Sequence, residues 1–295
     1  MRKIATQVVM VVLSAALLLS YLAICVAPFV TKGSIETVNP LPDNDLTEED
    51  DTSKPDIPNH PEEIPTPPPE EDGESEPEII PEPKAAYIRA KTNGLNIRSG
   101  PGTNYPSVGY LDKGDMATFI SKEGNWYKTI YKNKTAYISA GNSYTELMEM
   151  DLHQNPVVEK VIDEGLRLLG FPYVYGATRL HDGAGRLISG FDATKYDCSS
   201  LMQYIYYYGA NVNLNMTTRT QVKQGTYVSK SNIARGDLIF FTNAQRYNKT
   251  GTERIGHVAM YLGENYILHT ASDFAVIEEI SSQRWSYYIE TRRFV

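Results

Sequence analysis

The sequence predicts an α+β domain over residues 156–295, preceded by a small all-β barrel over residues 85–145. Between residues 85 and 145, short β-rich runs (AAYIRA, LNIRSG, MATFIS, NWYKTIY, TAYIS) alternate with Gly, Asn, Asp and Pro at short intervals, the punctuation of a compact barrel or sandwich. Beyond residue 156 two helical patterns come first and a run of strands follows, the order of an α+β fold with an antiparallel sheet. Two further segments, unlike either region, lie ahead of both.

The chain has 295 residues and is 41% hydrophobic, enough for two domains with cores of their own. It opens with Met-Arg-Lys and then VVMVVLSAALLLSYLAICV, an uncharged apolar run over residues 8–26 that is long enough to cross a bilayer as a helix. Residues 1–33 are therefore expected to form a transmembrane anchor or signal helix. An uncleaved anchor is the favoured form, with processing after Ala27 or at Cys25 as alternatives. Arg2 and Lys3 ahead of the run place the rest of the chain outside the cytoplasm.

Residues 34–84 hold 17 Asp or Glu against 2 Lys and are rich in proline, as in PTPPPEEDGESEPEIIPEP. Such a stretch has too little apolar surface to offset the entropy of ordering it, so a disordered acidic linker is expected. Clustered prolines and like charges keep it extended; a binding tail is the alternative. Residues 85–295 then carry an excess of only about four positive charges. On an exported chain, so slight an excess argues against nucleic acid as a partner.

The barrel region contains GLNIRSGPGTNYPSVGYLDKGD followed by GNWYKTIYKNKTAYIS. Its Leu-Asn-x-Arg-Ser-Gly-Pro-Gly, its Lys-Gly turn and its later Trp-Tyr-Lys resemble the bacterial SH3 domain. The resemblance implies a module that binds cell-wall peptide or helps shape a neighbouring catalytic cleft. Taken singly, Trp126, Tyr127 and Tyr105 are expected in the barrel core.

In NPVVEKVIDEGLRLLG, Val158, Val161, Ile162, Leu166 and Leu169 fall near a 3.6 spacing, Pro156 suits a first turn and Gly170 a stop. FPYVYG reads as a turn or extended piece. A second helix is expected from Cys198 to about Tyr208, with Leu201, Ile205 and Tyr208 on one side. GDLIFF, GHVAMYL, NYILHTA and SYYIETRRFV read as strands.

Cys198 is the only cysteine beyond the first 33 residues, so an internal disulfide framework is excluded. It is either a buried apolar filler or a reactive thiol. Asp197 is a good N-cap, which puts Cys198 in a helical first turn where unpaired N–H groups and the helix dipole favour negative charge. A thiol there is expected to ionise easily, attack a carbonyl carbon and offer the same N–H groups to the oxyanion. Of five histidines, His60 lies in the linker, His153 between the domains and His181 in a glycine-rich loop, while His257 and His269 lie in strands. If Gly263, Glu264 and Asn265 form the connecting loop, His257 and His269 face the same way and are diagonal neighbours. One could then take the thiol proton while the other orients its ring.

These residues resemble the NlpC/p60 family of cell-wall cysteine peptidases. The likeness rests on Gly-Phe-Pro-Tyr-x-Tyr-Gly at 170–176, Asp-Cys-Ser at 197–199, Gln221 with Gly225, Gly-Asp-Leu-Ile-Phe-Phe at 236–241, and His257-Val-x-x-Tyr-Leu-Gly followed by His269. It covers essentially all of residues 156–295 and implies a papain-like fold. By that likeness Cys198 is the nucleophile, His257 the base and His269 its orienter, while the Tyr173 hydroxyl lies beside the nucleophile. Asp197 and Ser199 take positions that bind the free amino end of a stem peptide, and Tyr175 one often filled by Trp. Three departures stand out: Ser200 in place of glycine, Arg235 in place of proline, and NMTTRTQ without the usual Pro-Arg. The loop over residues 177–196 is also longer than the family's compact version.

The function this implies is a peptidoglycan endopeptidase, a cysteine peptidase cutting the bond from γ-D-glutamate to the diamino acid of stem peptides. The expected partners are peptidoglycan stem peptides, the cell wall and, through the N-terminal helix, the membrane. The expected location is the outer face of the cytoplasmic membrane or the wall itself. The rival readings are an inert wall-binding or assembly protein and a thioester-forming acyltransferase. No cofactor is expected, and no metal site, because no cysteine pairs with another and the histidines lack helical ligand spacing. GAGRLISG lacks the Lys-Ser/Thr ending of a phosphate loop.

Overall fold

A computed structural model describes residues 83–271 and 273–295. The expected anchor, residues 1–33, and nearly all of the expected linker, 34–84, lie outside them. Among the described residues no helix is long and apolar enough to cross a membrane.

The barrel comprises β1 (Lys84–Ala90), β2 (Leu95–Arg98), β3 (Ser107–Leu111), β4 (Met116–Thr118), β5 (Ser121–Glu123), β6 (Trp126–Tyr131), β7 (Lys134–Ser139) and β8 (Thr145–Asp151). Strands β3-β2-β7-β6-β5 form one antiparallel sheet. Tyr127 is in the core, but Trp126 is only half-buried and Tyr105 is 42% exposed. Tyr105 instead lies over Gly100, where even a Cβ would meet its ring. β8 continues to Asp151, past the expected end at 145, paired with β1 along seven residues. Its mostly polar TELMEMD, with only Thr145 and Met150 buried, hides the strand from a hydrophobicity reading.

The α+β region runs α1 (Pro156–Arg167), α2 (Cys198–Ala210), α3 (Thr218–Gln221), β9 (Thr226–Val228), β10 (Leu238–Phe241), β11 (His257–Gly263), β12 (Tyr266–Ala271), β13 (Phe274–Glu279), α4 (Ser282–Ser286) and β14 (Tyr288–Arg293). The predicted face of α1 is buried, and Asn155 caps its start by accepting from the Val157 N–H. In α2, Leu201 and Ile205 are buried as expected, but Tyr208 is 53% exposed. Met202 and Tyr206 share the buried stripe, which turns the face by a residue and leaves Tyr208 outside against Tyr204, 4.7 Å between ring centroids. Gly209 lets the two helices close up, since a Cβ there would lie 2.5 Å from the Val161 Cα.

The two regions share one antiparallel sheet, of order β8-β1-β4-β13-β12-β11-β10-β14-β9. The join is between β4 and β13, where Met116 pairs with Ile277. The β6–β7 turn adds a second tie: the N–H groups of Lys132 and Asn133 donate to Leu169 and Arg167 carbonyls at the end of α1, both at 2.8 Å. A third is Arg235, buried where proline was expected. It holds Glu159 bidentately at 2.7 and 2.8 Å, the Tyr87 hydroxyl of β1 at 2.9 Å and the Leu262 carbonyl at 2.7 Å.

Candidate active site

Cys198 is the first residue of α2, and Asp197 caps it. The Ser200 N–H donates to Asp197 Oδ1 at 2.8 Å while the Asp197 N–H donates to Ser200 Oγ at 2.8 Å. Serine in place of the expected glycine therefore completes a reciprocal cap. Helix α2 packs against β11, and Cys198 lines a cavity that shares Gly256, the residue before His257, with the cavity of His257. The expectation of an easily ionised thiol does not hold. Burial first, and the Asp197 charge second, push Cys198 up to about 12 against the help of Val258, Arg179 and Ser199. A helix terminus is worth about 1 kcal/mol to an anion, and removing a thiolate from water costs more.

His257 and His269 meet as the strand parity predicts. The β11–β12 register aligns Met260 with Leu268 and Tyr261 with Ile267, which makes the histidines diagonal neighbours, and His257 Nε2 lies 2.8 Å from His269 Nδ1. Glu264 and Asn265 take left-handed conformations at the turn. Burial, then the neighbouring His269 and Arg284, hold His257 well below its ordinary value; burial likewise lowers His269. Both rings are neutral at pH 7. Nε2 of His257 faces His269, so only its Nδ1 remains to receive a proton from the thiol. That needs Nε2–H donating to His269 Nδ1, with the His269 proton on its own Nε2. No hydrogen bond joins the Cys198 sulfur to His257 among the described residues; the two stand as a neutral thiol and a neutral base.

Sequence reasoning missed the next member. Glu278 of β13 presents Oε1 3.0 Å from His269 Nε2 and 2.7 Å from Arg284 Nη2. The His269 approach is short but off the ring N–H direction, so its effect is electrostatic rather than that of an aligned hydrogen bond. Burial alone would raise Glu278; His269 and Arg284 outweigh it and hold the carboxyl at about 2. The signal was available as parity. Glu278 pairs with Ile267, two residues from His269 on the same face.

Two cavities flank this line. One, of about 180 Å³, is lined by Cys198, Tyr175, Arg179, Arg219 and Arg246 among others; its neighbour, of about 530 Å³, by His257, Thr242 and Arg284. Tyr173, Asn243 and Gly256 line both. Burial, and then the charges of Cys198 and Asp197, raise the Tyr173 pKa, so its hydroxyl keeps its proton beside Cys198. Tyr175 is 84% exposed at the rim.

Asp197 and Ser199, expected to receive an amino end, are already engaged. Asp197 Oδ1 takes the Ser199 hydroxyl at 3.0 Å besides the Ser200 N–H, and Oδ2 takes the Gly176 N–H at 3.2 Å and Arg179 Nη2 at 2.9 Å. Arg179 also donates to Ser199 Oγ and to the carbonyls of Met216 and Ala177. The long 177–196 loop delivers this arginine. Gln203, buried in α2, pins the loop through the Leu180 N–H at 3.0 Å and the His181 carbonyl at 3.1 Å. Gln221 holds the Ser199 carbonyl at 2.9 Å.

The site thus consists of a capped thiol at the start of a helix beside two co-facial histidines on an antiparallel sheet. Residues 170–293 match the NlpC/P60 family and residues 93–144 the bacterial SH3 domain, so the chain carries an NlpC/P60 domain behind a bacterial SH3 domain. It is 28% identical over 191 residues to the gamma-DL-glutamyl hydrolase of Bacillus subtilis, covering 63% of this chain and 40% of that one. It is 33% identical over 131 residues to the peptidoglycan DL-endopeptidase CwlO of Bacillus licheniformis, covering 43% and 26%. Among solved structures it is similar, at TM-score 0.37 and 24% identity over 48% of this chain and 100% of that one, to RipD of Mycobacterium tuberculosis, described as a non-catalytic NlpC/p60 domain protein. The chain spans 20–40% of the length of four curated relatives it matches.

Proposed function

We propose that this protein is a peptidoglycan endopeptidase of the cell envelope that cleaves the γ-D-glutamyl bond to the diamino acid of stem peptides. The observation that carries the reading is that the capped Cys198 and His257, paired with His269, stand in two adjoining cavities whose walls share Tyr173, Asn243 and Gly256. The names of the relatives support the substrate class, and the intact Cys198, His257 and His269 set favours catalysis over wall binding alone.

The thiol attacks the carbonyl carbon as its proton passes to His257 Nδ1, so no thiolate need exist at rest. The Tyr173 hydroxyl and the N–H groups at the start of α2 receive the oxyanion. As the tetrahedral intermediate collapses, the C–N bond breaks, His257 gives its proton to the departing amine and a thioester remains. Water then attacks, its proton going to His257, and the carboxylic acid leaves as the thiol is restored.

The same reading keeps the 8–26 apolar run as the tether to the membrane. Cys198→Ala is expected to abolish release of cleaved stem peptides from purified wall material, with products identified by mass spectrometry. Undiminished cleavage by that variant would reject the mechanism, and acyl transfer to an added amine in place of hydrolysis would reassign the reaction.

A further inference from the structure

The acyl half of a substrate becomes bonded to sulfur, so it lies in the cavity of Cys198, and the wall of that cavity is cationic. Arg179, Arg219 and Arg246 line it against one carboxylate, Asp197. Glu253, which pairs with Arg219 at 3.3 Å and with Arg246 at 3.2 Å, is not part of the lining. Even with Glu253 counted, the guanidiniums outnumber the carboxylates.

Asp197 has nothing left to offer a ligand. An ionised carboxylate has about four acceptor positions. Four donors occupy them here: the Ser199 hydroxyl, the N–H groups of Ser200 and Gly176, and Arg179 Nη2. Asp197 is 4% exposed and the Arg179 side chain 13%. Arg179 also donates to the Met216 and Ala177 carbonyls and to Ser199 Oγ at 3.1 Å, and Gln203 pins the chain just beyond it at Leu180 and His181. An ammonium seeking Asp197 would have to displace a guanidinium held on all these sides. Beyond their contacts with Glu253, the N–H groups of Arg219 and Arg246 meet no protein acceptor among the described residues. Such donors suit carbonyl oxygens and disfavour a further cation.

We infer that the Cys198 cavity rejects a free amino end, that Arg179 sets this preference, and that the protein therefore acts on stem peptides whose first amine is acylated. The inference rests on the endopeptidase reading, which makes L-Ala-γ-D-Glu the acyl half. The α-ammonium one residue beyond the glutamate is a cation brought to a cationic wall. Acylation turns it into a neutral amide whose carbonyl can accept from Arg219 or Arg246. In peptidoglycan that amine is acylated while the stem is joined to the glycan, so the protein works before, and not after, the amide hydrolysis that frees stems from glycan.

The test uses the full chain carrying Cys198→Ala, so that turnover does not intrude, and the peptide L-Ala-γ-D-Glu-X-D-Ala with its amine free or acetylated. X is meso-diaminopimelate in one pair and L-lysine in a second. Calorimetric titration at pH 6.5 is expected to give a Kd about tenfold or more lower for the acetylated member of each pair that binds. At pH 9, above the α-amino value of about 8, the free amine is mostly neutral and the ratio should fall to within about threefold. Adding Arg179→Ala uncovers Asp197 Oδ2 and should bring the pH 6.5 ratio within about threefold or reverse it. If that variant does not fold, the pH dependence decides alone. Equal binding at pH 6.5, a preference that persists at pH 9 or in Arg179→Ala, or binding of neither pair overturns the inference. Cleavage by the native chain is read separately, on wall material before and after an amidase has freed the stems. Equal release from both keeps the endopeptidase and removes this preference, while selective binding with cleavage of neither does the reverse.

Discussion

His257 works as a base only while neutral, and its surroundings keep it so. Burial withholds water from an imidazolium, and the Arg284 charge, joined by His269 should it also take a proton, opposes a second positive charge there. A lowered pKa means that the proton-accepting form persists as pH falls below the ordinary 6.5. The acid limb of a kcat/KM profile is therefore expected well below pH 6.5, with activity level from pH 6.5 to 8. A limb at or above 6.5 would show that the ring is solvated in the working enzyme. Cys198 sets no opposing limit in that range, because burial holds it protonated up to about 12. In the proposed mechanism the resting pair is neutral, and proton transfer accompanies attack.

At the scale of elements, three adjacent strands build one line of polar side chains across an apolar sheet: His257 on β11, His269 on β12 and Glu278 on β13. Each is displaced diagonally from the last, so one parity rule places all three. Glu278 touches no reacting atom. In the proposed mechanism it is a positioning residue that favours the His269 tautomer leaving His257 Nδ1 basic. Glu278→Gln, which keeps the size and removes the charge, should lower kcat by about tenfold or more, bounded by the ~10⁴ that an orienting carboxylate contributes in a Ser-His-Asp triad. KM should be little changed, and the acid limb should move to a different pH. An unchanged kcat and profile would leave Glu278 a merely structural partner of Arg284. Helix α2 contributes differently: its cap fixes where the sulfur stands, and Arg179 from the long loop closes off the capping carboxylate.

For the whole molecule, barrel and α+β region share a sheet and a continuous core. Arg235 is the polar rivet between them. Burial would push Glu159 up, yet the Arg235 hydrogen bond lowers it, as expected of a matched pair. Arg235→Ala leaves Glu159 and Tyr87 without their cation and is expected to cost about 3–5 kcal/mol, the usual range for one partner of a buried pair. Calorimetry should show the native protein unfolding in a single transition over both regions and the variant doing so at lower temperature. Two separate native transitions would mean that the joined sheet does not couple them.

Much of this was readable before any coordinates. The N-cap and the period of α2 located Cys198, and the two-residue alternation around Gly263, Glu264 and Asn265 brought His257 to His269, because caps and periods are local properties of the backbone. Other features depend on neighbours remote in sequence. The β4–β13 join, the reach of Arg235 to Tyr87, the sealing of Asp197 by Arg179 and the presence of Glu278 behind His269 are contacts across 9 to 161 positions. The protonation state of the thiol belongs with them. A helix terminus favours an anion whatever surrounds it, but the water that a folded chain excludes from the sulfur depends on every element packed around it, and here that exclusion is the larger effect.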